Sequence, residues 1–150
     1  MSQANEAHAG YTASLSHSQL FHGIDLPILS DLIHHGQITK SPADSWLLTE
    51  GDKVPGLFVV LEGFVHVTRN GKTDVTPLGR GNFFGEISVF GLGIGASASV
   101  ITPKGCTSLL VSQDELTKWF KKYPDGERLF LRHLAGELCR RLYLTTAKLA

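Results

Sequence analysis

The chain has no excess of charge of either sign: 14 Lys and Arg residues balance 14 Asp and Glu residues, and charged residues make up only 19% of the sequence. Such a chain lacks the global field that draws proteins to nucleic acid or to anionic membranes, so direct nucleic-acid binding is not expected. Cysteine is scarce. Cys106 and Cys139 stand far apart and match no metal or redox spacing, which reads as two free thiols in a reducing compartment. Long apolar runs are missing: nothing approaches the roughly 18 residues a membrane helix needs. The start, Met1-Ser2-Gln3-Ala4-Asn5-Glu6, carries no basic region ahead of an apolar core. A cytoplasmic protein with no membrane partner is the expectation. Catalytic and metal signatures are also absent. The seven histidines form no His-Glu-x-x-His or paired-cysteine pattern, and no Ser, Cys or carboxylate sits in a nucleophile or acid-base constellation. An enzyme is not expected.

What is there is one ordinary domain's length of chain, 150 residues, enough to bury a core without staples. Residues 1–18 are small and polar and read as a flexible leader, leaving 19–150 as the folded domain. Asp25 can cap a short helix with Pro27 in its first turn, Ile28, Leu29, Leu32 and Ile33 on one face, and Gly36 at its end. The period then changes. Trp46-Leu47-Leu48, Leu57 to Leu61, Phe64 to Thr68, Thr73 to Thr76, Ala98 to Thr102 and Cys106 to Val111 are short β-type runs. Asn70-Gly71 is a two-residue hairpin signal, because a type I′ turn needs two residues that tolerate positive φ. Many short strands at regular spacing argue for a barrel or sandwich.

Helical spacing returns after Val111. Ser112 and Glu115 form a capping box ahead of Leu116, Trp119 and Phe120, and Tyr123-Pro124 closes that helix. From about Asp125 to Lys148 no proline intervenes, and Leu131, Leu134, Leu138, Leu142 and Thr145 make a stripe. One small barrel cannot cover so long a stripe, so the last helix of a second copy is the expected cover.

The segment Asn82-Phe83-Phe84-Gly85-Glu86-Ile87-Ser88, followed by Gly91, Gly93, Gly95 and Ala96-Ser97-Ala98-Ser99-Val100, resembles the phosphate-binding cassette of the cyclic-nucleotide-binding domain. That family includes the sensor module of catabolite activators, cyclic-nucleotide-dependent kinases and gated channels. The resemblance runs in the same order from about Leu20 to Leu142, through Glu50-Gly51-Asp52, Leu57 to Gly63, the Asn70-Gly71 turn and Leu78 to Glu86. It implies a mainly β fold with flanking helices: an eight-stranded jelly-roll barrel, an N-terminal helical element, and two C-terminal helices of which the last usually dimerises. In the family a Gly-Glu pair holds the ribose, and an arginine ten positions after the glutamate, followed by a small hydroxyl residue, holds the cyclic phosphate. Here the pair is Gly85-Glu86 and the hydroxyl is Ser97, but the arginine position is Ala96.

The candidate ligand pocket is therefore Phe84, Gly85, Glu86, Ile87, Ser88, Ala96, Ser97 and Ala98. The family's ligand, cAMP or cGMP, is expected to bind weakly, since hydrogen bonds to charged groups are worth about 1.5–3 kcal/mol each and Ala96 supplies none. Glu86 reads equally as a ribose ligand or a structural carboxylate, Ser97 and Ser99 as exposed strand hydroxyls, and Arg80, Arg140 and Arg141 as surface charges, with Arg80 the lesser candidate for a replacement cation. Gly91-x-Gly93-x-x-Ala96 also matches a loose dinucleotide fingerprint, but the β-like run to Pro103 that follows leaves no helix to receive a pyrophosphate. The leading expectation is a regulatory ligand-sensing module, a homodimer through its last helix, with its output passed to an unknown effector protein because no DNA-binding, kinase or channel segment follows Ala150. The alternatives are a ligand-free dimerisation scaffold of the same fold, or a haem-type sensor using His66 or a cysteine.

Overall fold

The computed structural model describes residues 3–69, 72–73, 77–90 and 94–149. The expectations for the Asn70-Gly71 turn, for 74–76, and for Gly91 and Gly93 lie outside them. The chain opens with helix α1 (Gln3–Ser16), a 3₁₀ turn (Gln19–Phe21) and helix α2 (Leu26–His35). The composition of residues 1–18 suggests a flexible leader, whereas the structure places most of it in α1. The reason is packing that polarity concealed. Leu15 is fully buried, and Ser14, also buried, donates from Oγ to the Leu61 carbonyl at 2.9 Å. His8 Nε2 lies 2.7 Å from Ser30 Oγ, and its ring stacks on that of His34. A helix face seated through hydroxyls and a histidine shows no apolar period. In α2, Leu29, Leu32 and Ile33 are buried as their spacing requires, although Asp25 precedes the helix without a side-chain capping bond.

Eight strands follow the opening helices among the described residues: β1 (Gln37–Ser41), β2 (Ser45–Leu48), β3 (Leu57–Gly63), β4 (His66–Arg69), β5 (Lys72–Thr73), β6 (Phe83–Phe84), β7 (Ser99–Thr102) and β8 (Cys106–Val111). A short helix, α3 (Glu86–Phe90), lies between β6 and β7; α4 (Gln113–Lys122) and α5 (Pro124–Leu149) close the chain. The strands form two four-stranded sheets, ordered β1-β8-β3-β6 and β2-β7-β4-β5, with every pairing antiparallel. This is the jelly-roll type of β architecture with flanking helices. Strands β1 and β6 carry no clear apolar alternation, and only their pairing reveals them.

Strand β3 explains the placing of the core. Its run of five buried residues divides by face: Leu57, Val59 and Leu61 meet the helices, whereas Phe58 and Val60 point between the sheets. A strand covered on both sides reads as a continuous apolar run. The helical side is the heavier one. Trp119 and Phe130 are fully buried beside Phe21 and Phe120, and Trp119 Nε1 donates to the Ile28 carbonyl at 3.1 Å. Full burial of such a side chain contributes about 1.5–3 kcal/mol. Ser112 Oγ accepts from the Glu115 N–H at 3.2 Å, the predicted cap of α4. Helix α5 buries Phe130 and Leu134 near its start, while Leu142, Tyr143 and Leu144 further along stay exposed.

Candidate functional site

Strand β6 sets up the site. Phe84 pairs with Phe58 of β3, and their rings stack at 4.7 Å between centroids. The chain then has to turn sharply into α3, and Gly85 makes that turn at φ +87°, where a Cβ would also stand 2.5 Å from the Gly56 carbonyl oxygen. Only glycine meets both conditions. Glu86 is thereby delivered, buried, at the first turn of α3. On the other side, the stretch before β7 is pinned to the loop after β2. The Gly51 N–H donates to the Ala96 carbonyl and the Ala96 N–H to the Asp52 carbonyl, each at 2.8 Å. Gly95 allows that approach, since a Cβ there would lie 2.6 Å from the Gly51 oxygen.

Between these walls and α5 lies a cavity of about 320 Å³. Phe84, Gly85, Glu86, Ala96, Ser97 and Ala98 all face it, so six of the eight residues singled out from the sequence converge on one space. The side chains of the other two, Ile87 and Ser88, lie outside the described residues. Apolar wall comes from Leu48, Val54, Val67, Leu78 and Val100. Helix α5 closes the cavity with Leu138, Arg141, Leu142 and Thr145, one face at i, i+3, i+4 and i+7. Arg69, at the end of β4, completes it.

Arg141 reads as a surface charge in the sequence, and the structure corrects that. Its Nη1 donates to Glu86 Oε1 and its Nη2 to the Phe83 carbonyl, both at 3.3 Å, with the guanidinium 4.3 Å from the Phe83 ring centre. Nε donates to Glu137 Oε1, also at 3.3 Å. The missed signal was positional: an arginine on the same face as Leu138, Leu142 and Thr145. Burial pushes the Glu86 carboxyl above its ordinary range, against the opposing pull of its own backbone N–H and of Arg141. Arg80 points elsewhere, donating from Nε to Ser14 Oγ at 2.8 Å and so fastening α1. Ser99 is not an exposed hydroxyl but a buried acceptor for the Glu50 N–H at 2.9 Å. His66 packs against Phe64, and the cavity wall holds no histidine or cysteine among the described residues.

Residues 38–123 match the model of the cyclic nucleotide-binding domain. The chain belongs to that family. It is 32% identical over 124 residues to the cAMP-activated global transcriptional regulator CRP of Haemophilus influenzae, covering 80% of this chain and 54% of the relative. The corresponding CRP of Pasteurella multocida is 30% identical over 128 residues, with 83% and 59% covered. This chain thus spans little more than half the length of these curated relatives. Among solved structures, the catabolite activator protein of Thermus thermophilus superposes with a TM-score of 0.76 at 26% identity, over 88% of this chain and 62% of that one. No helix among the described residues is long and apolar enough to cross a membrane.

Proposed function

We propose that this cyclic nucleotide-binding domain is a regulatory, non-catalytic module whose cavity takes a cyclic nucleotide, cAMP or cGMP, with low affinity. The supporting observation is the convergence of Gly85, Glu86 and Ser97 on the cavity roofed by α5 while Ala96 stands where the family's phosphate arginine would be. Glu86 can accept from a ribose hydroxyl, and Ser97, exposed on the wall, can donate to a phosphate oxygen. A ligand hydroxyl on Glu86 shares that carboxylate with Arg141 of α5, so occupancy acts on the helix directly. A packing change in that helix is then the signal. Its exposed Leu131 and Leu142, three turns apart on one face, form the surface on which the same helix of a second copy packs, giving a homodimer. The 150 residues carry no net charge, which favours output through a protein effector over nucleic acid bound by this span.

Isothermal titration of the chain with cAMP and cGMP tests the reading. Binding in the micromolar range or weaker is expected, whereas submicromolar binding would overturn the low-affinity claim. No binding by the parent chain or by Ala96→Arg would replace the sensor with a ligand-free scaffold.

A further inference from the structure

Two arginines face the cavity, and one is already engaged. Arg141 contacts two carboxylates, Glu86 and Glu137, as well as the Phe83 carbonyl. Arg69 is exposed and has no ion-pair partner among the described residues. Among the described residues, the cavity wall therefore includes a cation with no ion-pair partner, which is the condition for recognising an anion.

The register of the sheet says where that cation can reach. Strands β4 and β7 pair His66 with Ile101, Val67 with Val100 and Thr68 with Ser99. The pairing ends there, with Arg69 one residue further on at the end of β4. Side chains alternate along a strand, so Arg69 shares a face with Val67 and with Val100 across the sheet; all three line the cavity, together with Ala96 and Ala98 from the stretch before β7. Ala96 and Ser97, in the stretch just before β7, line the same cavity as the long side chain of Arg69.

We infer that Arg69 supplies the cation that the chain lacks at Ala96, so that the phosphate of a cyclic nucleotide sits between Arg69 and Ser97. The inference rests on the reading that the cavity takes a cyclic nucleotide, and it names the residue that makes this possible without the cassette arginine. A guanidinium can grip two phosphate oxygens at once, as an ammonium cannot. Reaching in from an exposed strand end, it remains partly hydrated, so its attraction is weaker than that of a buried cation. Low affinity follows from the same geometry.

The test is calorimetry of the whole chain with cAMP and cGMP, comparing the parent, R69Q, R69K, A96R and the R69Q/A96R double variant. R69Q is expected to weaken binding about tenfold or more, with R69K between it and the parent. Because both positions serve one phosphate, A96R should raise affinity more in the R69Q background than in the parent. Thermal unfolding at the parental midpoint is expected for R69Q and R69K and separates a lost contact from a lost fold; if R69Q unfolds, the loss in R69K carries the test. Equal binding by parent and R69Q would overturn the role of Arg69 and leave the sensor reading standing. Binding by A96R but not by the parent would overturn it too, since Arg69 would then supply nothing. Absence of binding in every variant would overturn both.

Discussion

Asp31 and Glu86 are carboxylates in two different regions of the molecule, and their surroundings push them in opposite directions. Asp31, between α2 and α4, accepts from Lys122 Nζ at 2.6 Å and Tyr123 Oη at 2.8 Å, with His35 Nε2 at 3.7 Å. The bond from Lys122 above all holds it below its ordinary value of 3.8. Glu86, at the cavity, is more deeply buried and gets one contact from Arg141 at 3.3 Å, so burial raises it above 4.5. A carboxylate with its bonds supplied by the protein holds helices together. One buried with acceptor capacity to spare is a place for a ligand to bind. A similar division separates the two regions: the helical one is dense with rings, whereas the cavity wall holds small residues and an arginine with no ion-pair partner among the described residues.

That contrast can be broken by experiment, most strongly in the helical region. Trp119→Ala should cost about 3–5 kcal/mol of stability by denaturant unfolding, because it removes a fully buried ring and its bond to Ile28. A loss below about 1 kcal/mol would mean that this region is not the keystone of the fold.

Helix α5 joins the two regions, and its exposed half is the next place to press. Leu142→Glu, at a residue 67% exposed in the single chain, should weaken self-association by about 2 kcal/mol or more if a second copy covers it. Light scattering across a concentration series measures this; a parent that stays monomeric at high micromolar concentration removes the proposed dimer.

At the cavity, Ala96→Arg should raise cyclic-nucleotide affinity about tenfold, or roughly 1.4 kcal/mol. An arginine there that changes nothing would put the phosphate elsewhere in the cavity.

The smallest effects sharpen the comparison of the two carboxylates themselves. Asp31 binds its proton less readily folded than unfolded. It therefore contributes stability above pH 3.8 that is lost as pH falls through its lowered value. Glu86 does the reverse. Its folded form holds a proton that the unfolded chain has released, so stability falls as pH rises from 4.5 through the raised value. Asp31→Asn should cost roughly 0.5–1 kcal/mol near neutral pH. Glu86→Gln should flatten the fall and leave the neutral-pH stability equal or higher, while weakening ligand binding. Unfolding midpoints measured from pH 3 to pH 8 give both slopes, and slopes of the same sign would erase the distinction.

How much could be read in advance depended on how local the causes were. The cap at Ser112, the apolar face of α2, the proline break at Pro124 and the run of β3 are set by residues within one turn or one strand of each other, and all were legible. The cassette residues from Phe84 to Glu86 and from Ala96 to Ala98 were legible through their resemblance to the family, and the structure brings them to one cavity. Helix α1 was not, because its seat uses Ser14 and His8 against Leu61 and Ser30, partners between 22 and 47 residues away. Strand β6 is two residues long and exists only through its pairing with β3.

The electrostatics of the cavity show the same boundary. The sequence by itself determined that Ala96 carries no charge, that Gly85 can take a left-handed turn, and that the final helix is long and unevenly apolar. Only the tertiary structure decided that Arg80 faces α1, that Arg141 meets Glu86 across 55 positions, and that Arg69 lies on the cavity wall with Ala96. A side chain's identity and its local period are properties of neighbours along the chain. Which charge faces which depends on sheet register and helix packing, and these are decided by the burial of residues distant in sequence.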